Sequence, residues 1–206
     1  MTRAFFSQSA SLQAPDMEAA MKAIVAHPND ASALAVLQRD ATFNSMLCTT
    51  CVATMLNGGH ATNALSQLAE ANVNCRIYPT SNAEEVRAEL ERVVGDTNVK
   101  VVIKTQRPAT PATALARDVM GPIAQITHEM WGNIPVIPMM STGATDSRFF
   151  RALGIPSYGV SGLMDDPTDI RAHGRDERLP VKSFYEGAEF LYRLTKALAS
   201  APAPKA

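Results

Sequence analysis

STGATDSRFFRALGIPSYGVSGLMDDPTDIRAHGRDERLP, residues 141–180, is the stretch from which the second half of this chain is read. An apolar run at 136–140 leads into it and predicts a strand. A small polar turn, 141–146, follows. A helix is expected over 147–153, capped by Thr145 or Asp146 and closed by Gly154. Residues 157–160 then predict another strand, Gly162 a turn, and 165–180 a charged loop holding His173. Strand, helix and strand joined by a short crossover make a parallel βαβ unit. In open parallel sheets, sites form where loops leave the carboxyl ends of the strands.

Working outward, Gly121 and Pro122 predict a helix opening with proline at its first position. Ile123, Ile126 and Met130 would form its buried stripe. A last helix is expected from a Ser183–Glu186 capping box to about Leu198, with Phe184, Ala188, Leu191, Leu194 and Leu198 on one face. The tail 201–206 reads as disordered. Residues 107–111 are proline-rich and read as a linker.

The first half has a different style. Residues 11–39 look helical, with Met17, Met21, Ile24 and Val25 at helical spacing and a break at His27-Pro28. His27 reads as a helix C-cap. Residues 47–56 predict a strand, and Asn57-Gly58-Gly59 a tight turn. Residues 69–78 alternate: Ala69, Ala71, Val73, Cys75 and Ile77 make one face, which predicts a half-buried antiparallel strand. Ser81 and Glu84 predict a capping box for a helix burying Val86, Leu90 and Val93, stopped by Gly95. Residues 99–103 predict a further strand. The fold class expected is therefore mixed α/β and α+β. A ferredoxin-like lid domain lacking its first strand, residues 1–106, is followed at 107–200 by a partial parallel α/β sheet.

The chain has 206 residues, 46% hydrophobic, with a formal net charge of -1 and no basic block. That balance argues against a nucleic-acid partner. No apolar run reaches the length of a membrane span. The first ten residues lack the long apolar core of a secretory signal. Three cysteines, Cys48, Cys51 and Cys75, do not suggest a disulfide framework. Cys48 and Cys51 form a CxxC, but a zinc ribbon wants a second close pair, so they read as small buried strand residues.

Four places could carry chemistry. His173 sits among charges with Gly174 beside it, although a lone histidine in such a loop is often only solvated. The 141–146 turn, entering a helix N-terminus, is either an anion cradle or an ordinary well-capped turn. Arg148 lies in the first turn of that helix, where the dipole disfavours a cation, which hints at an external anion or a carboxylate partner. Arg76 lies on the polar face of its strand. His60 reads as a turn residue. His128-Glu129 has no second histidine four residues on, so the zinc-protease helix motif is absent.

GGHATNAL at 58–65 with VNCRIYP at 73–79 resembles the lid, or dimerisation, domain of the zinc aminoacylase/carboxypeptidase family of metallopeptidases. Residues 141–162 and 172–194 resemble the C-terminal part of that family's catalytic domain. The resemblance implies hydrolysis of amide bonds in peptides or N-acyl amino acids by two zinc ions, and a homodimer formed through the lid. His173 matches the last zinc ligand. Asn63 and Arg76 match lid residues that hold the substrate's terminal carboxylate. Thr145, Asp146 and Arg148 match a loop lining the substrate cleft.

The departures are specific. The chain contains no HxD, the family's first zinc motif, and Glu84-Glu85 lies in a helix rather than in the paired-glutamate motif of the catalytic base. At most one zinc ligand is then present and no catalytic residue is assigned. Ser66 replaces a usual proline, which is expected to loosen the turn. The sequence thus reads as a C-terminal part of such an enzyme, inactive alone. A non-catalytic dimerisation module and an anion-binding α/β domain using 141–146 are the competing readings. No compartment is assigned: Met1 as true start would favour the cytoplasm, and a targeting segment upstream would not.

Overall fold

A computed structural model describes residues 1–105, 110, 112–166, 169 and 171–200. The proposed tail, and the proposed linker apart from Thr110, lie outside the described residues. The chain divides into two units. The first comprises Met1–Ala112 and Met139–Ile155; the second comprises Thr113–Pro138 and Pro156–Ala206.

The first unit opens with four helices: α1 (Thr2–Ser9), α2 (Pro15–Ala26), α3 (Ala31–Leu37) and α4 (Ala41–Leu47). Pro15 starts α2, where its missing N–H costs nothing. The carboxylates of Asp30 and Asp40 accept backbone N–H groups from the first turns of α3 and α4. His27 caps the end of α2, as its position beside Pro28 suggests. Phe6, Ala10, Met21, Ile24 and Leu37 bury together, with Phe5 and Phe43 packed against them. The Phe5, Phe6 and Phe43 rings lie 5.4–6.0 Å apart, centre to centre, at steep mutual angles. Neither α1 nor α4 was legible as a helix. Residues 47–49, assigned to a strand, are instead the end of α4 and its exit.

β1 (Thr50–Gly58) and β2 (Ala69–Arg76) then pair antiparallel, from Thr50 opposite Arg76 to Gly58 opposite Ala69. Thr54 is a bulge between the Ala53–Val73 and Met55–Asn72 pairs. Its hydroxyl donates to the Asn72 carbonyl and accepts from the Asn72 amide. The ten residues 59–68 join the strands, so Asn57-Gly58-Gly59 is not the tight turn expected. Nor is β2 half-buried: no residue of either strand is buried. Cys51 and Cys75 face each other across the pair and form a disulfide, contrary to their reading as buried thiols. Cys48 alone is free. A cross-link over 24 residues constrains the unfolded chain by about 3 kcal/mol on a loop-entropy model. Two strands without a core are marginal by themselves, so the cross-link is a large share of what holds them.

α5 (Ala83–Val94) begins with a capping box between Asn82 and Glu85, one residue later than Ser81–Glu84. Gly95 stops it in the left-handed region, as expected. Val86 and Leu90 are half-buried and Val93 is exposed. α7 (Ser147–Ala152) follows Thr145, whose hydroxyl accepts the Ser147 N–H.

The second unit is built on α6 (Arg117–Trp131) packed against α8 (Val181–Ala199). Ile123, Ile126, Phe190 and Leu194 are buried, with Met130, Val136 and Val160 against them. Pro122 does not open α6 but lies inside it, so the Asp118 carbonyl loses its usual helical donor. The buried stripe of α8 is Ser183, Gly187, Phe190 and Leu194; of the expected face only Leu194 is buried, while Phe184, Ala188, Leu191 and Leu198 are exposed. A Cβ on Gly187 would stand 2.5 Å from Leu163, and one on Gly162 would stand 2.7 Å from Phe190. Those two bare backbones let 161–163 and α8 approach, and the approach sets the helix's rotation. Ser183 is no cap; its buried hydroxyl accepts the Met164 N–H at 2.6 Å.

The parallel sheet is absent among the described residues. Residues 99–103, 136–140 and 157–160 are in no strand, and the one sheet is β1 with β2. Ser157 instead exchanges hydrogen bonds with the Thr113 hydroxyl. Strand propensity expresses fit to neighbouring strands, and these runs have none. The architecture is mixed helix with a small antiparallel pair, compatible with α+β.

Candidate functional site

The hairpin carries two of the sequence-assigned residues. Asn63 is exposed in the 59–68 loop and Arg76 is exposed at the end of β2. They stand at opposite ends of the strand pair, since Arg76 lies seven residue steps along β2 from Ala69, roughly 23 Å at the rise of a strand. Ser66 tightens the loop rather than loosening it. Its oxygen accepts the Gly59 N–H at 2.9 Å and donates to the Leu68 carbonyl at 2.6 Å. At the other end, the Thr49 hydroxyl accepts the Tyr78 N–H. Arg76 has no carboxylate partner among the described residues.

Thr145 and Asp146 are exposed and Arg148 is half-buried at the start of α7. The Arg148 guanidinium lies over the Phe149 ring, 4.3 Å from its centre. That cation–π contact, rather than a carboxylate, is the partner of this cation against the helix dipole. The Asp146 side chain makes no capping bond.

His173 is exposed in the second unit with φ of 65°, the one non-glycine residue at positive φ among those described. The Gly174 N–H returns to the Arg171 carbonyl at 2.9 Å, closing a turn with His173 at its third position. A side chain on Gly174 would crowd that carbonyl at 3.0 Å, so the close approach anticipated there is to the chain's own backbone. The Glu177 N–H bonds the Gly174 carbonyl in a second turn. Asp169 ties both sides: Arg171 donates to one of its oxygens and Arg178 to the other, while Arg171 also reaches Asp176. The Arg171 and then the Arg178 guanidinium hold the Asp169 carboxyl below the usual carboxylate range. These opposed charges keep the histidine on the crest of a closed loop.

A metal needs more than this. Among the described residues, no three His, Cys, Asp or Glu side chains gather into a cluster that could hold one. The residues present do not fit a two-zinc centre, which takes several ligands per ion. The sequence reading missed the Cys51–Cys75 bond, because the register that opposes the two depends on a bulge that no sequence signal marks. Counting back from the hairpin loop with one bulge sets Cys51 opposite Cys75.

The family model for peptidase family M20/M25/M40 matches residues 6–197, and the chain belongs to that family. It is 25% identical over 163 residues to mouse "N-fatty-acyl-amino acid synthase/hydrolase PM20D1", covering 76% of this chain and 32% of the relative. It is 28% identical over 154 residues to human "Aminoacylase-1", covering 73% and 37%. It is 25% identical over 164 residues to "Probable carboxypeptidase S-like 2" of Dictyostelium discoideum, covering 78% and 31%. The chain thus spans about a third of the length of these curated relatives.

Proposed function

We propose that this chain serves an amide hydrolase acting on N-acyl amino acids or peptides. Arg76 receives the terminal carboxylate, and Asn63, at the loop end of the strand pair, is a separate lid contact that does not share that group with Arg76. Thr145, Asp146 and Arg148 line the substrate cleft, and His173 is the last metal ligand. The observation that carries the reading is the exposed guanidinium of Arg76, without a carboxylate partner among the described residues and set at the end of a cross-linked strand. A guanidinium binds a carboxylate through two parallel charge-assisted hydrogen bonds, which favours substrates bearing a free C-terminal acid. The described residues do not by themselves form the metal centre, and activating a water would take two zinc ions. The 206 residues offer His173 toward them but no HxD, so the polypeptide by itself is proposed not to turn over.

Two measurements test this. N-acetyl-leucine should shift the NMR signals of Arg76, whereas N-acetyl-leucinamide should not, and Arg76→Ala should remove the response. Equal responses to acid and amide sink the carboxylate role. The zinc-loaded protein should show no hydrolysis of N-acyl amino acids or dipeptides. Ordinary turnover abolished by His173→Ala overturns the proposal of inactivity.

A second reading has its own support. Leu56 is 81% and Leu65 94% exposed on the hairpin and its loop, apolar surface of the kind that marks association sites. A homodimer through the lid would cover it. Sedimentation equilibrium at several loading concentrations decides: a monomer throughout excludes it.

A further inference from the structure

We infer that the Cys51–Cys75 disulfide is a reversible redox lock on the strand pair that carries Arg76. Three observations support it. The bond joins directly opposed residues of β1 and β2, and the next pair toward the open end is Thr50 with Arg76. No residue of either strand is buried, so the ladder and the cross-link hold the pair without help from a core. Cys51 is exposed while Cys75 is half-buried, which leaves the bond at the surface and Cys51 the more open of its two residues. The lock itself stands apart from the proposed function; only its consequence for carboxylate binding rests on that reading.

The chemistry needs a reductant, a small or protein dithiol. One thiolate of the dithiol attacks the Cys51 sulfur. The Cys51–Cys75 bond breaks, and its electron pair leaves on the Cys75 sulfur, which takes a proton. The second thiol of the dithiol then displaces Cys51, so two cysteine thiols form and the dithiol becomes a disulfide. Cys48 stays outside the exchange. Its thiol donates to the Asn44 carbonyl at 3.3 Å, and an odd separation along extended chain turns it away from Cys51.

With the bond open, the loop-entropy constraint on 24 residues is gone and Arg76 is held by the end of a bare two-stranded ladder. The test uses the full chain, purified without reductant, and a Cys48→Ser variant. Peptide mapping after alkylation should find Cys51 joined to Cys75 in both. Hydrogen exchange of residues 50–58 and 69–76 should then quicken by at least about tenfold on dithiothreitol treatment, while α1–α4 stay unchanged. Reoxidation should restore the slow rate, and Cys51→Ser/Cys75→Ser should exchange fast without reductant. A bond from Cys48, no bond at all, or equal exchange in both redox states overturns the lock. N-acetyl-leucine is titrated into both forms: tighter binding to the oxidised form supports the consequence for Arg76. If exchange responds and binding is absent from both forms, the lock stands and the carboxylate reading fails instead.

Discussion

The first forty-seven residues and the strand pair that follows are held by opposite means. α1–α4 contribute short helices, none longer than 12 residues, which are marginal in isolation. They persist because Phe6, Met21 and Leu37 are almost wholly removed from water in one shared core. β1 and β2 are longer in extent and regularly paired, yet Leu56 and Val73 face solvent. Their order rests on register, a bulge and a covalent bond. The lesson is that regular hydrogen bonding and stability are separate properties, and the candidate carboxylate residue sits where the second is thinnest.

This contrast can be broken in four places. Phe6→Ala should cost about 3–5 kcal/mol in denaturant unfolding, because it empties the aromatic centre of the helical core. A loss under about 1 kcal/mol would show that these helices owe little to packing. Asp40→Ala should cost about 1 kcal/mol, since one carboxylate accepts both the Thr42 and Phe43 N–H groups. Lowering pH should loosen the His173 loop. The depressed Asp169 carboxyl contributes order that is fully present above the usual carboxylate range, and that order is lost as pH falls beneath that range through its lowered folded value. The Gly174 and Glu177 amide signals should report this near-acid transition, and Asp169→Asn should show the loosened loop at neutral pH. Leu56→Ala, on the exposed strand, should stay within about 0.5 kcal/mol; a larger loss would mean that the face is covered by a partner.

The helices were largely legible because helical periodicity is local. Met21 and Ile24, or Ile123 and Ile126, mark a buried stripe whatever lies beyond them. The strands were legible only in part, since a strand exists only with a neighbour: the runs at 50–58 and 69–76 found each other, whereas 99–103, 136–140 and 157–160 found none among the described residues. The rotation of α8 escaped because Gly162 and Gly187 carry no side chain, so the close contact they permit leaves no apolar signature. At the candidate site, the residue types at 63, 76, 145–148 and 173 were visible in the sequence. The turn that lifts His173 to positive φ was not, because it depends on salt bridges among residues spaced irregularly along the loop. The disulfide needed the register, and the register needed the bulge.

Thr54 has a consequence for how this hairpin tolerates change in length. It is the one position in β1 that the opposite strand does not count: Ala53 and Met55 face Val73 and Asn72, which are adjacent. Loss of that single codon would leave Cys51 facing Cys75 and Gly58 facing Ala69, with only the hydroxyl–amide exchange to Asn72 gone. Loss of any neighbouring residue, with Thr54 then drawn into the ladder, would also conserve the register while changing which side chain occupies the step. The hairpin therefore carries a built-in allowance of one residue, placed between its covalent end and its loop, so that a deletion there need not reach either.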